Sequence, residues 1–154
     1  MKNHALSNSQ QSAWASYQRM RVRLTGRLNR ELAQKTGLSE ADYEILVALT
    51  ETPDESVRAQ ALRCGLEWEK SRLSHQLKRM EKRGLVMREE CVEDNRGSVI
   101  RVTEAGRKLA ADARLHYEQA VQRYVIDILT PEQLDALGAI AETVLAQLEK
   151  PHKP

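Results

Sequence analysis

Seven cations stand between Lys70 and Arg88: Lys70, Arg72, Lys78, Arg79, Lys82, Arg83 and Arg88. One acid, Glu81, opposes them, so the stretch carries a net +6 where the whole chain carries only +2. Ammonium and guanidinium groups at this density neutralise the phosphates of a polyanion, and an arginine fork also matches the O6 and N7 edge of guanine. Spacing decides which of these groups act together. Leu73, Leu77 and Met80 are four and three apart and define one face of a helix. The other face then carries Lys70, Arg72, Ser74, His75, Lys78, Arg79 and Lys82. Ser71, Arg72, Ser74 and His75 are the outward residues nearest the start of that helix.

The elements that must position these groups flank the helix, which is expected over about 69–83. Downstream, Val86–Cys91 and Val99–Val102 are short and rich in β-branched residues, and Asp94-Asn95-Arg96-Gly97 lies between them. That composition predicts a hairpin with a tight turn. Arg96 would stand at its tip, where a thin loop can enter a minor groove of enhanced negative potential. Asp94 is placed to fix the turn or orient Arg96, and Gly97 tolerates positive φ. Thr103 supplies an N-cap for the next helix. Upstream, Ser56 to Leu66 predicts a short helix ending at Gly65, with Ala59, Ala61 and Leu62 packed on the basic helix and Gly65-Leu66 as the turn. No Ser, Thr, Asp or Asn stands just before Trp68 to cap the basic helix; Glu67 and Glu69 interact with its dipole instead. Helix, turn, basic helix and arginine-tipped hairpin make the outline of a winged helix-turn-helix, which reads double-stranded DNA by placing its second helix in the major groove.

The segments Trp68-Glu-Lys-Ser-Arg-Leu-Ser-His75, Arg83-Gly-Leu-Val86 and Asp94-Asn-Arg-Gly-Ser-Val-Ile-Arg-Val-Thr-Glu-Ala-Gly106 resemble the MarR (multiple antibiotic resistance regulator) family of winged-helix transcription factors. The last resembles the family's wing signature, an Asp-x-Arg-Gly turn followed by a Thr-x-x-Gly helix start. Helix order and length extend the resemblance over nearly the whole chain. It implies a homodimer on a pseudo-palindromic operator, often a repressor released by a small ligand. Under it, Lys70, Ser71, Arg72, Ser74, His75, Lys78, Arg79 and Arg96 are the expected DNA-binding residues. Arg72 is the first choice for a guanine, while Lys70, Lys78, Arg79 and Lys82 are assigned to phosphate.

Length and composition set the surroundings. The 154 residues suffice for a single domain with its own core. No run of about 18 apolar residues occurs, and the N-terminus lacks the apolar stretch of a secretory signal. With two cysteines outside any CxxC spacing, a reducing cytoplasm is the expected location. Phe is absent and aromatics total 4%, so the core must be aliphatic. The expected fold is mainly α with a small β-hairpin wing: a winged core over about 39–103, and dimerisation helices over about 8–36 and 104–149. Trp14, Tyr17, Met20, Leu24, Leu28 and Leu32 mark the first helix, which Gly37 follows. Ser39 caps the second, with Tyr43, Leu46 and Leu49 inward. A long helix follows from Glu104 to about Leu129, and Thr130-Pro131 starts the last one.

The last helix carries an apolar stripe, Leu134, Leu137, Ile140, Val144 and Leu148, with little to cover it inside one subunit. A second copy is the simplest cover. Trp14, Tyr17 and Tyr43 are candidate walls of a small-ligand pocket, for which a planar organic anion is the expected occupant, or else core residues. His4, His75, His116 and His152 are scattered without metal-ligand spacing, and no nucleophile has a converging base. No metal, cofactor or catalytic residue is therefore expected. Cys64 is expected to be a small apolar residue closing a short helix, and Cys91 to lie on the hairpin. The rival class is a winged-helix protein–protein adaptor that does not bind DNA.

Overall fold

The structure, a computed structural model, describes residues 5–90 and 97–151. Its elements are α1 (Asn8–Thr36), α2 (Glu40–Thr50), β1 (Ser56–Arg58), α3 (Ala59–Leu66), α4 (Lys70–Lys82), β2 (Val86–Glu90), β3 (Ser98–Val102), α5 (Glu104–Val121) and α6 (Pro131–Leu148). They fall into two compact units, Met1–Tyr117 and Glu118–Pro154.

Local signals explain the ends of the first two helices. Ser7 and Gln10 form a reciprocal capping box that starts α1, and Ser39 and Asp42 form another that starts α2. Gly37 ends α1 in the left-handed region at φ 74°, where a Cβ would be strained. The core of the first unit is aliphatic. Leu32, Leu38, Ile45, Leu46, Leu49, Leu62, Leu73, Leu77, Met80, Leu85, Val86, Ile100 and Val102 form one buried cluster, which Trp68 closes at one side. Removing this apolar area from water is the main force holding α2, α3, α4 and the sheet together.

The expected mainly α fold with a small β wing is what the chain adopts, with one strand more than the hairpin. Ser56–Arg58 does not begin a helix. It pairs antiparallel with β3, Val57 opposite Ile100, giving a sheet of order β1-β3-β2. Glu55 just before it takes φ 52° and accepts the Val102 N–H, and Arg58 is still extended, so α3 starts only at Ala59. Gly65 likewise lies inside α3. The turn to α4 is made by Glu67 at φ 55°. β2 and β3 pair from Val86↔Val102 to Glu90↔Ser98, as a hairpin requires.

Thr103 joins the hairpin to α5. Its hydroxyl accepts the Gly106 N–H at 2.9 Å, donates to the Gly84 carbonyl at 2.6 Å and lies 3.0 Å from that of Leu85. Gly106 is buried, and a Cβ there would overlap the Leu85 carbonyl oxygen. The Thr-x-x-Gly pattern thus has a physical reason: a hydroxyl that caps and staples at once, then a residue with no side chain.

In the second unit the long helix expected to about Leu129 is not α-helical throughout. It passes at Gln122 into a π-helical turn that runs to Ile126. Thr130 and Gln133 then make a capping box with Pro131 in the first turn, and α6 begins. Every described residue of α6 is exposed in the single chain, Leu137 at 40% and Ile140 at 64%.

Candidate nucleic-acid interface

Helix α4 presents two opposite strips and two flanks between them. Leu73, Gln76, Leu77 and Met80 are buried. Opposite them, Ser71, His75, Lys78 and Lys82 follow at spacings of four, three and four, all exposed. Between these strips lie two flanks. Arg72 and Arg79 occupy the flank shared with α2. Lys70 and Ser74 occupy the flank shared with α3 and the hairpin.

The α2 flank is built rather than merely solvated. The Arg72 guanidinium carbon lies 3.8 Å from the Trp68 ring centroid, a cation–π contact on an indole that is only 9% exposed. Glu44 of α2 is close enough for Arg72 to act on its charge. Burial and the neighbouring Glu40 raise the Glu44 carboxyl above its ordinary value, and Arg72 pulls it back. Arg79 Nη2 donates to Gln76 Oε1 at 2.6 Å, and Gln76 Nε2 donates to Asp42 Oδ1 at 2.5 Å. Arg83, counted among the cations of this stretch, is mainly structural. Its Nη1 pairs with Asp42 Oδ2 at 2.8 Å and its Nη2 donates to the Gly37 carbonyl at 3.2 Å.

On the other flank a cleft of about 300 Å³ opens between α3, the first half of α4 and the hairpin. Arg63, Lys70 and Arg88 bring three cations to it, with Gln60, Ser74 and Ser98 between them. Arg88 Nε is buried without a hydrogen-bond partner among the described residues, and its nearest acid, Glu81, is 3.9 Å away. Gly97 takes φ 85°, as the turn composition predicts. Asp94, Arg96 and Cys91 lie outside the described residues.

The α4 start has no side-chain cap, in line with the missing capping residue before Trp68. Its first-turn N–H groups therefore lack a capping side chain, next to Ser71 and Arg72. Trp14 and Tyr17 stack on each other along α1 at 5.3 Å and are exposed, whereas Tyr43 pairs with Tyr117 of α5 at 5.1 Å, both half-buried. Burial, with Glu40 and Glu44 nearby, raises the Tyr117 hydroxyl above its ordinary value. Cys64 is exposed, so it is not the packed apolar residue expected at the end of α3. Among the described residues no group of three or more His, Cys, Asp or Glu could hold a metal ion, and no helix is long and apolar enough to cross a membrane.

Sequence reasoning passed over Trp68 as a platform, and Asp42 and Gln76 as a buried polar pair. The Trp68–Arg72 spacing of four was an available signal. For Asp42 and Gln76 the pattern offered none beyond the capping box.

The sequence model of the MarR family matches residues 38–98. Among curated protein sequences none matches the chain. Among solved structures the chain is similar to AbsC, a MarR family transcriptional regulator from Streptomyces coelicolor. The two share 36% identity and a TM-score of 0.87 over 95% of this chain and 98% of that one. It is similar to Sco3205, a MarR family transcriptional regulator from the same organism in complex with DNA, at 34% identity, TM-score 0.88 and 95% of each chain. It is also similar to CouR from Rhodococcus jostii RHA1, bound to p-coumaroyl-CoA, at 25% identity and TM-score 0.72, over 89% of this chain and 92% of that one.

Proposed function

The chain belongs to the MarR family of transcriptional regulators, and from that membership we propose that it acts as a homodimer on a pseudo-palindromic operator in double-stranded DNA, as a repressor released by a small organic ligand. The observation that carries this reading is the exposed strip Ser71, His75, Lys78 and Lys82 on α4. It stands directly opposite the buried strip and is flanked by Arg72 and Arg79. A helix held by its apolar face and offering hydroxyl, imidazole and ammonium groups outward is equipped for a major groove. Ser71, Arg72, Ser74 and His75 reach base edges from the first turns. Lys70, Lys78, Arg79 and Lys82 contact phosphate, and Arg96 enters the flanking minor groove.

The assembly follows from α6. Leu134, Leu137, Ile140, Val144 and Leu148 are all exposed in one chain, and a second copy covers them. The ligand has a seat in the cleft between α4 and the hairpin, whose cations Arg63, Lys70 and Arg88 suit a small organic anion. An occupant there bears on both DNA-reading elements at once. By linkage it lowers DNA affinity to the extent that it favours the arrangement that does not fit DNA. Chemical catalysis has no place in this scheme.

Selection of bound duplexes from a random pool tests the reading. An inverted repeat with half-sites about 34–36 Å apart, one turn of duplex, is the expected result. No enrichment, together with binding that ignores salt, would favour the adaptor instead.

A further inference from the structure

Asp42 is a buried carboxylate in the first turn of α2, 4% exposed, and three donors converge on it. The Ser39 N–H reaches Oδ2 at 2.9 Å as part of the α2 capping box. Arg83 Nη1 reaches the same oxygen at 2.8 Å from the end of α4. Gln76 Nε2 reaches Oδ1 at 2.5 Å from the middle of α4. Capping alone needs only the first, so the other two call for a separate account. Their effect is geometric. One carboxylate holds α4 at two points about two turns apart, and Arg83 continues to the Gly37 carbonyl at the end of α1. Rotation of α4 about its axis, or sliding along it, breaks at least one charge-assisted bond in a buried site.

Gln76 goes further than fixing the helix. Its amide is used at both ends: the nitrogen donates to Asp42 and the oxygen accepts from Arg79 at 2.6 Å. The carboxylate dictates this orientation, because a flipped amide would set oxygen against oxygen. No apolar residue of the same length, and no shorter amide, does both jobs. Arg79 is exposed, its guanidinium anchored on one side by a buried group, while Lys78 and Lys82 beside it have no ion-pair partner among the described residues. A held guanidinium loses less rotamer freedom when it meets a phosphate than a free side chain does.

We infer that Gln76, oriented by Asp42, is a positioning residue that pre-aims Arg79 at the DNA backbone, so that part of the phosphate contact is set before DNA arrives. The inference rests on the DNA-binding reading above.

The test is a double-mutant cycle on the selected operator, with Gln76→Met, Arg79→Ala and both together, each followed across salt concentration. Arg79→Ala should lower the magnitude of the slope of log K against log salt by about 0.9 for each phosphate that the guanidinium neutralises. Gln76→Met should weaken binding by about tenfold with Arg79 present and by almost nothing with Arg79 absent. Should Gln76→Met fail to fold, Gln76→Asn keeps the amide but cannot span both partners, and it should give the same pattern. Equal losses from the Gln76 change in both backgrounds, or no loss in either, would overturn the inference. A wild-type chain that shows no salt-dependent duplex binding would overturn the DNA reading itself and is recognised before the cycle begins.

Discussion

Arg72 is stacked on Trp68, its guanidinium carbon 3.8 Å from the ring centroid, and that ring belongs to the edge of the buried core. The cation proposed to read a guanine thus rests on a side chain of the hydrophobic core. Arg72→Ala should cost about 1–3 kcal/mol of specific binding and relax base preference at one symmetric position of the operator. Competition binding against a panel of substituted operators measures both. Unchanged preference would reduce Arg72 to a packing role over Trp68.

Gly106 stands where a side chain has no room. A Cβ would overlap the Leu85 carbonyl oxygen, which is backbone and cannot swing away, and would sit 3.0 Å from Val102 Cγ2. Gly106→Ala should destabilise the protein by about 3 kcal/mol, because α5 must shift off the hairpin base to admit the methyl group. Thermal melting of the free protein reads this directly. A melting temperature within a degree or two of wild type would contradict the close approach.

Glu44 bears on stability and on DNA binding together. Burial and Glu40 raise its pKa in the folded protein, Arg72 lowering it in part. An acid whose pKa is raised by folding opposes folding once it ionises. The penalty is absent below the unfolded-state pKa, grows as pH rises between the unfolded and folded values, and is complete above the folded one. Glu44→Gln should therefore raise the melting temperature at neutral pH and leave it unchanged well below pH 4, roughly the ordinary carboxylate value. The gain is small because Glu44 is exposed and water screens it. The same substitution removes an acid beside Arg72, so operator affinity should rise, most clearly at low salt. An affinity that falls would mean that Glu44 holds Arg72 in its working position.

Helix α6 exposes Leu134, Leu137, Ile140, Val144, Leu145 and Leu148. Leu137→Glu together with Val144→Glu should separate or unfold the assembly and abolish operator binding, although neither residue faces DNA. Sedimentation of the wild type should give about 35 kDa, twice the 17.5 kDa of one chain. A wild-type monomer at micromolar concentration that still binds a palindromic site with full affinity would rule out this arrangement.

What the sequence made legible was whatever rests on local chemistry. Ser39 and Thr130 announce helix starts through hydroxyls that bond three residues ahead, and Leu73, Leu77 and Met80 place α4 through their spacing. The hairpin follows from two β-branched runs and a turn. Strand β1 was illegible because three residues hold too little alternation to signal a strand, and their partners Val99, Ile100 and Arg101 are remote in sequence. Arg83 was counted with the cations of the basic stretch because charge patterns do not show partners, and Asp42 is hidden far upstream in a capping box. Gln76 was invisible for the same reason: a polar residue on a buried strip has a role only once its partners are in place. The π-helical turn at Gln122–Ile126 was illegible because Tyr117, Val121, Tyr124 and Ile128 keep an apolar spacing of four, three and four across it.

The hairpin leaves α4 and enters α5 at one spot, while β3 is also paired with β1. The Thr103 N–H bonds to the Leu85 carbonyl at 3.1 Å, and the Thr103 hydroxyl holds the Gly84 carbonyl just before it. Residues 86–102 are therefore a loop closed at its base, with α4 entering and α5 leaving through the same clasp. By loop-closure entropy alone, each doubling of the loop's length costs about 0.6 kcal/mol. Under the proposed DNA-binding role, tips of other lengths and sequences grafted above this clasp should change what the hairpin contacts and leave the contacts of α4 as they are.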